Sequence, residues 1–258
     1  MNLATFVEHI SGAITACDWQ RRPFGHAIID GFLPDQLARQ VEPHLGAQNL
    51  ERFVYDSPIE RKDASNHWND FAPELYGVFA GLNHPAIARA LSATTGIRDL
   101  FLDAGLHGGG IHRTTRGGRL NLHIDYAIHP KLGAERRLNL IIYLNRSWDA
   151  SWGGQLQLWA GSDRPERMFA NIEPSWNRAV LFATGDNSWH GFPTPIECPT
   201  GVVRQSLALY YCSLVGPHTT KRYKAKFVPA PEQQGNDFIQ ELCDKRMNAD
   251  LADQAYRS

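Results

Sequence analysis

The chain has 258 residues, an apolar fraction of 43% and a formal net charge of −1, from 26 basic and 27 acidic side chains. This length and composition suit one large domain with a packed core and argue against wholesale disorder. The balanced charge does not indicate a nucleic-acid or membrane-surface partner, and no apolar run is long enough to cross a membrane.

The cysteines are scattered and show no C-x-x-C spacing, which excludes zinc-finger and thioredoxin-like classes. We expect reduced, mostly buried thiols in a cytoplasmic protein. Near the N-terminus, Glu8 and His9 interrupt any apolar run of a signal peptide. The sequence therefore predicts a cytoplasmic protein and leaves its oligomeric state open. The four cysteines are Cys17, Cys198, Cys212 and Cys243.

The first hundred residues are predicted to be mostly helical. Apolar residues recur at helical spacing over residues 3–17, and a short strand is expected at 26–30. Pro34 opens a second helix that ends near Gly46.

The segment from residue 50 to residue 70 is polar and is expected to be irregular. A third helix is expected over 71–82. Asn83 in the capping position and Pro85 in the first turn predict the start of a fourth helix, which ends at Gly96.

From residue 100 to about 228, short strands separated by turns replace the helices. Several of these segments alternate apolar and polar side chains, which favours a sandwich or barrel. A polar tail follows, with one helix expected near Ile239. The expected strands include residues 100–104, 137–145, 155–159, 179–182 and 204–212.

A histidine and a carboxylate, His123 and Asp125, are two residues apart. On a strand they point to the same face, where a second imidazole would complete a two-histidine, one-carboxylate site for Fe(II). About one such H-x-[DE] match is expected by chance in this composition, so the motif is weak alone.

A candidate for the second imidazole is His190, which follows a buried strand. In isolation, a histidine after a tryptophan is more often a partly buried aromatic neighbour. Downstream, Arg204 and Ser206 share the strand face opposite Leu207 and Leu209. If the leucines pack on a neighbouring layer, Arg204 points inward, where a guanidinium needs an anion. No acidic residue is expected opposite, and a bound dicarboxylate would meet this need.

Taken together, these motifs resemble the Fe(II)/2-oxoglutarate-dependent dioxygenases of the prolyl 4-hydroxylase-like branch. The match covers roughly residues 100–215, in the order found in that family. Its pieces are His123-Ile124-Asp125, residues 137–145, Trp148, Gly153-Gly154, Ile172-Glu173-Pro174, His190 and Arg204-Gln205-Ser206.

The resemblance implies that His123, Asp125 and His190 are the iron ligands at the catalytic centre. It also implies cosubstrate-binding roles for Arg204, Ser206, Tyr143 and His112. The cofactors implied are Fe(II) and 2-oxoglutarate as cosubstrate, with ascorbate as a further candidate.

The fold implied is mainly β with helical support: a double-stranded β-helix (jelly-roll or cupin-like) core with N-terminal helices packed on one sheet. The strand pattern independently favours a barrel-like core with an N-terminal helical layer. We expect a single dioxygenase domain over 1–258, made of helical support (1–98), β-helix core (99–228) and a C-terminal tail (229–258).

The reaction implied is hydroxylation of an aliphatic C–H with release of succinate and CO2. The candidate substrates are a small metabolite, a sugar and a prolyl or peptidyl group. Of these, the sequence slightly favours a small molecule. Two alternatives stay open. Arg204 with Ser206 argues against a cupin-like metalloenzyme that does not use 2-oxoglutarate, and the intact triad argues against a non-catalytic member of the fold.

Residues for substrate contact are harder to predict. Arg113, Arg116 and Arg119 form a candidate basic rim, with solvated arginines on a hairpin as the equal alternative. Arg136 and Arg137 are expected at the surface. Further candidates for the mouth of the site are Trp68, Asp70, Trp152 and Trp189.

Overall fold

The computed structural model describes residues 2–248, and its N-terminal part is largely helical as predicted. A 3-10 turn at Glu42–Gly46 continues the second helix to the predicted end. No helix in these residues is long and apolar enough to cross a membrane. The helices are α1 (Leu3–Ala16), α2 (Asp35–Val41), α3 (Pro73–Leu82), α4 (Pro85–Thr95) and α5 (Asp237–Met247).

The cap of α4 differs from the prediction. The ring of His84, not the side chain of Asn83, accepts a hydrogen bond from the backbone N–H of Ala86, at 3.2 Å. Asn83 instead ends α3, because only one residue separates it from the first residue of α4. Gly96 ends α4 in the left-handed conformation (φ 80°), as predicted.

Thirteen strands of the described chain form one curled antiparallel sheet. The strands predicted from alternation are all present, so the mainly β fold with helical support is confirmed. The strands are β1 (His26–Asp30), β2 (Phe53–Ser57), β3 (Glu60–Ser65), β4 (Phe101–Leu102), β5 (Gly110–Thr114), β6 (Arg119–Ile124), β7 (Glu135–Tyr143), β8 (Leu156–Ala160), β9 (Arg167–Ile172), β10 (Arg178–Ala183), β11 (Trp189–Phe192), β12 (Arg204–Ser213) and β13 (Lys226–Phe227).

The irregular segment expected over residues 50–70 is wrong, because this segment contains the hairpin β2–β3. β3 lies between β5 and β6 in the sheet, although β5 and β6 are consecutive in the chain. It therefore joins the half of the sheet that contains β12 to the half that contains β11. Its sequence is polar because one of its faces borders the polar cavity described below.

The main core lies between the helices and one face of the sheet. The leucine face of β7, with Leu138 and Leu140, and that of β12, with Leu207 and Leu209, pack in this core with α1, α3 and α4. Each fully buried leucine contributes roughly 1.5–3 kcal/mol. The opposite face of these strands is thereby turned towards the cavity.

The predicted C-terminal helix is confirmed as α5. Its residues Ile239, Leu242 and Cys243 pack against Phe227 of β13 and Ile59. The four cysteines are free thiols and three are buried, as predicted.

Candidate active site

Sheet pairing brings the three predicted metal ligands together. His123 lies near the end of β6, Asp125 follows that strand, and His190 on β11 is the register partner of His123. The Nε2 atoms of His123 and His190 lie 3.6 and 3.5 Å from the two carboxylate oxygens of Asp125. All three side chains are buried, and one ligand atom from each lies within 4.8 Å of the others.

Both imidazoles are oriented for metal binding through Nε2. Nδ1 of His123 lies 3.0 Å from the carbonyl oxygen of Asn121, and Nδ1 of His190 lies 2.9 Å from that of Ser188. A carbonyl only accepts, so each Nδ1 carries the proton and each Nε2 presents its lone pair. Burial lowers the pKa of His190 to about 3, which keeps this ring neutral.

The carboxylate of Asp125 is held ionised by its neighbours. Asn139 donates a hydrogen bond from Nδ2 to Oδ2 of Asp125 at 2.8 Å, and the Arg136 guanidinium lies 3.5 Å from Oδ1. Burial alone would raise the pKa of Asp125, but Arg136 and the two imidazoles outweigh it and hold the pKa well below its usual value.

Arg136 is not a surface residue, and this part of the prediction is wrong. Its side chain is 3% exposed, and its Nε donates to Oδ1 of Asn139 at 3.1 Å. The guanidinium lies 3.1 Å from the ring centre of Tyr210 and 4.6 Å from that of Tyr126. A shift in the β7–β12 register skips Arg137 and turns Arg136 to the cavity face.

This donor set fits a divalent iron ion. Two neutral imidazole nitrogens and one ionised carboxylate form the set found in non-haem Fe(II) oxygenases, where the remaining positions stay open. The outer hydrogen bonds to backbone carbonyls and to Asn139 are those that orient metal ligands.

The inward position predicted for Arg204 is also observed. The residue is 5% exposed, its Nε donates to the carbonyl of Gly154 at 2.7 Å, and its Nη2 donates to the hydroxyl of Tyr143 at 2.9 Å. Within residues 2–248 Arg204 has no carboxylate partner at ion-pair distance. A buried guanidinium without an anion is costly, so this pocket suits a bound carboxylate.

Ser206 and His112 lie beside Arg204. Ser206 on β12 is the register partner of both His112 and Tyr143, and all three line the same cavity. The Nε2 of His112 lies 3.1 Å from the carbonyl of Gly108. Burial lowers the pKa of His112 well below its usual value, so the ring is neutral. Contact between His112 and a cosubstrate stays a prediction.

The cavity between the triad and Arg204 has a volume of about 370 Å³. None of the three candidate rim arginines lines it. Arg116 pairs with Glu197 at 2.7 Å, and Arg119 pairs with Glu232. Arg113 lies beside Arg52, at a separate small pocket. The basic rim is therefore wrong in position. Arg113 alternates with His112 and Thr114, which line the cavity, so its side chain lies on the other face of β5.

The four other candidates for the mouth do not line the cavity either. Trp68 packs on Phe79 and Trp152 packs on Trp148, with ring centres 5.7 and 5.4 Å apart. Trp189 is fully buried in the protein interior. Asp70 accepts a hydrogen bond from the backbone of residue 51. These side chains are structural, so the sequence prediction for them is wrong.

Comparison with known proteins finds similarity to one family over the β core. Residues 109–212 match the family model described as the 2OG-Fe(II) oxygenase superfamily. The mouse protein prolyl 3-hydroxylase OGFOD1 is 33% identical over 86 residues, which are 33% of this chain and 16% of that protein. The chain thus spans only a small part of the length of this relative.

Solved structures share the fold. A prolyl-4-hydroxylase from Pseudomonas putida matches with a TM-score of 0.53 and 18% identity, over 83% of this chain and all of that one. Prolyl 4-hydroxylases from Phytophthora capsici match with a TM-score of 0.57 and 17% identity, over 96% and 82% of the two chains.

A third solved structure is a Trichoplax adhaerens prolyl hydroxylase in complex with a peptide fragment of the hypoxia inducible factor oxygen degradation domain. It matches with a TM-score of 0.55 and 17% identity, over 81% of this chain and 92% of that one. These matches confirm the double-stranded β-helix fold. The predicted resemblance to 2OG-Fe(II) oxygenases of the prolyl 4-hydroxylase-like branch is confirmed.

Proposed function

We propose that this chain is an Fe(II)- and 2-oxoglutarate-dependent hydroxylase that acts on a prolyl residue of a peptide or protein. His123, Asp125 and His190 would hold the iron. Arg204 and Ser206, with the hydroxyl of Tyr143, would hold the far carboxylate of 2-oxoglutarate. The observation that carries the proposal is a buried arginine that has no carboxylate partner within residues 2–248, in the same cavity as a buried group of two imidazoles and one carboxylate.

When bound, iron with 2-oxoglutarate and O2 supplies the oxidant for an aliphatic C–H, and 2-oxoglutarate leaves as succinate and CO2. The protein's own groups orient and shield the site. Phe227 stacks on His123 with ring centres 4.8 Å apart, and Phe182 lies 4.8 Å from His190. Each of these rings covers one side of an imidazole.

A prolyl substrate is supported by the similar proteins, which are named prolyl hydroxylases, one of them solved with a peptide. A small metabolite or a sugar has no such support. The cavity wall beyond Asp125 contributes Tyr126 and Tyr210, whose rings suit the apolar face of a pyrrolidine. We also propose ascorbate as a reductant. A cytoplasmic location is proposed as well, because free thiols are typical of that compartment.

The test has two stages. Anaerobic addition of Fe(II) and 2-oxoglutarate should give a visible charge-transfer absorption that neither gives alone. A library of single-proline peptides should then show succinate release and the gain of one oxygen atom, read by mass spectrometry. Absence of the absorption would favour the cupin-like or non-catalytic alternatives. Absorption without any modified peptide would reject the prolyl substrate but keep the cofactors.

A further inference from the structure

One histidine in the cavity is not used by the site described above. His107 lies in the loop between β4 and β5, is half-buried and is one of the residues that line the cavity. It lies on the wall formed by Tyr126, at 5.8 Å between ring centres. Tyr126 follows the ligand Asp125 in the chain and lies against Arg136. His107 therefore lies on the same side of the cavity as Arg136. It is not one of the hydrogen-bond partners of Arg204.

Both backbone polar groups of His107 make hydrogen bonds within the protein. Its N–H donates to the Asp103 carboxylate at 2.8 Å, and its carbonyl accepts from the hydroxyl of Tyr126 at 3.0 Å. Asp103 is itself fixed by the Nε2–H of His129 at 3.0 Å, and both of these side chains are only 2% exposed. A buried polar pair thus sets the position of the loop that carries His107.

The ring of His107, in contrast, makes no hydrogen bond or ion pair with any residue in the described part of the chain. The other histidines near the cavity are all engaged. His112 and His129 bond to protein oxygens through their rings, and His123 and His190 do so through Nδ1. Burial lowers the pKa of His107, which favours the neutral ring at pH 7.

A neutral imidazole offers one donor and one acceptor. A secondary peptide group offers the complementary pair, a carbonyl and an N–H. In a trans peptide these two groups point in opposite directions, so the ring bonds one of them at a time. The nitrogen of a prolyl residue carries no N–H, so a backbone N–H for this ring comes from a neighbouring residue of the peptide. A neutral ring also suits an uncharged amide better than the carboxylate of a free imino acid.

We propose that His107 contacts the substrate and hydrogen-bonds the peptide backbone next to the hydroxylated prolyl residue. The inference rests on the proposed function and adds a residue that recognises the peptide backbone.

The experiment compares His107→Phe, which keeps a ring but removes both hydrogen-bonding atoms, with His107→Gln, which keeps a donor and an acceptor. His218→Phe is the matched control, because His218 is exposed and does not line the cavity. Each protein is loaded with Fe(II) and 2-oxoglutarate and assayed with the peptide that the wild type modifies fastest.

We expect His107→Phe to raise the KM for the peptide about threefold to tenfold, the range expected for one neutral hydrogen bond. We expect kcat to change less than about twofold, and His107→Gln to restore most of the affinity. The control should keep the wild-type KM. Equal KM values for His107→Phe and His218→Phe would overturn the proposal, as would a loss confined to kcat.

Two further outcomes separate this inference from the function on which it rests. If the wild type hydroxylates free L-proline more efficiently than every peptide, the hydroxylase stands and the peptide contact is overturned. If the charge-transfer absorption forms but no proline compound is modified, the prolyl substrate and this inference fail together.

Discussion

The guanidinium of Arg136 lies 3.5 Å from the carboxylate of Asp125, so a buried cation already neutralises the carboxylate that would bind the metal. Removing one partner of a buried ion pair leaves the other charge uncompensated, which costs about 3–5 kcal/mol. A bound divalent metal offers Asp125 a second positive partner. The importance of Arg136 for stability should therefore depend on the metal.

We expect Arg136→Met to lower the free energy of unfolding of the metal-free protein by about 3 kcal/mol, and by clearly less with saturating Zn(II). Denaturant unfolding with and without metal measures both values. Arg137→Met is the control, since Arg137 is partly exposed and its pair with Glu135 is a surface pair. Equal losses with and without metal would contradict the role assigned to Arg136.

Metal binding itself should stabilise the protein through the triad. A ligand present at 100 times its dissociation constant adds about 2.7 kcal/mol of stability. We expect Zn(II) to raise the Tm of the wild type and of His218→Ala, and a chelator to reverse the rise. His190→Ala should lose the shift. A full shift in His190→Ala would place the metal elsewhere.

Arg204 should control the affinity for 2-oxoglutarate. Hydrogen bonds to charged groups contribute about 1.5–3 kcal/mol, so Arg204→Met should raise the dissociation constant of 2-oxoglutarate roughly 10- to 100-fold. Anaerobic titration of the Fe(II)-loaded protein measures it. Arg178→Met, which removes a partly exposed pair with Asp30 and a hydrogen bond to the carbonyl of Glu173, is the control. Similar affinities in the two variants would rule out the cosubstrate site.

The pair of Asp103 and His129 should act on the substrate through the loop of His107. We expect His129→Gln to lower stability by about 2 kcal/mol and to raise the KM for the peptide. Asn177→Gly is the control. It removes two buried hydrogen bonds between Asn177 and Leu33, and glycine can keep the positive φ of 53° at this position. A similar rise in KM in the control would show that the effect is general destabilisation.

Period-two alternation was sufficient to put His123 and Asp125 on one face. His190 joined them through the family resemblance, because no local rule predicts that β11 pairs with β6. The orientation of Arg204 followed from the leucine face of the same strand. These rules also placed Tyr143 on the cavity face, where the structure has it.

Alternation failed where the strand itself is irregular. Strict alternation puts Arg136 on the leucine face with Leu138, but the shift in register against Cys212 turns it to the other side. The hairpin β2–β3 was missed for another reason. Glu60 and Lys62 face a polar cavity, so the strand lacks the apolar stripe by which a half-buried strand is identified.

The position of β3 has a consequence for how this chain can be divided. A fragment limited to residues 109–212 would retain the proposed ligands and Arg204, but it would lack the strand that bridges β5 and β6. The backbone N–H and C=O groups along one edge of β5 and one edge of β6 would then be unpaired. Such edges can pair with strands of other molecules. The polar hairpin β2–β3 thus closes the β core, and trimming it should yield aggregates rather than a smaller folded protein.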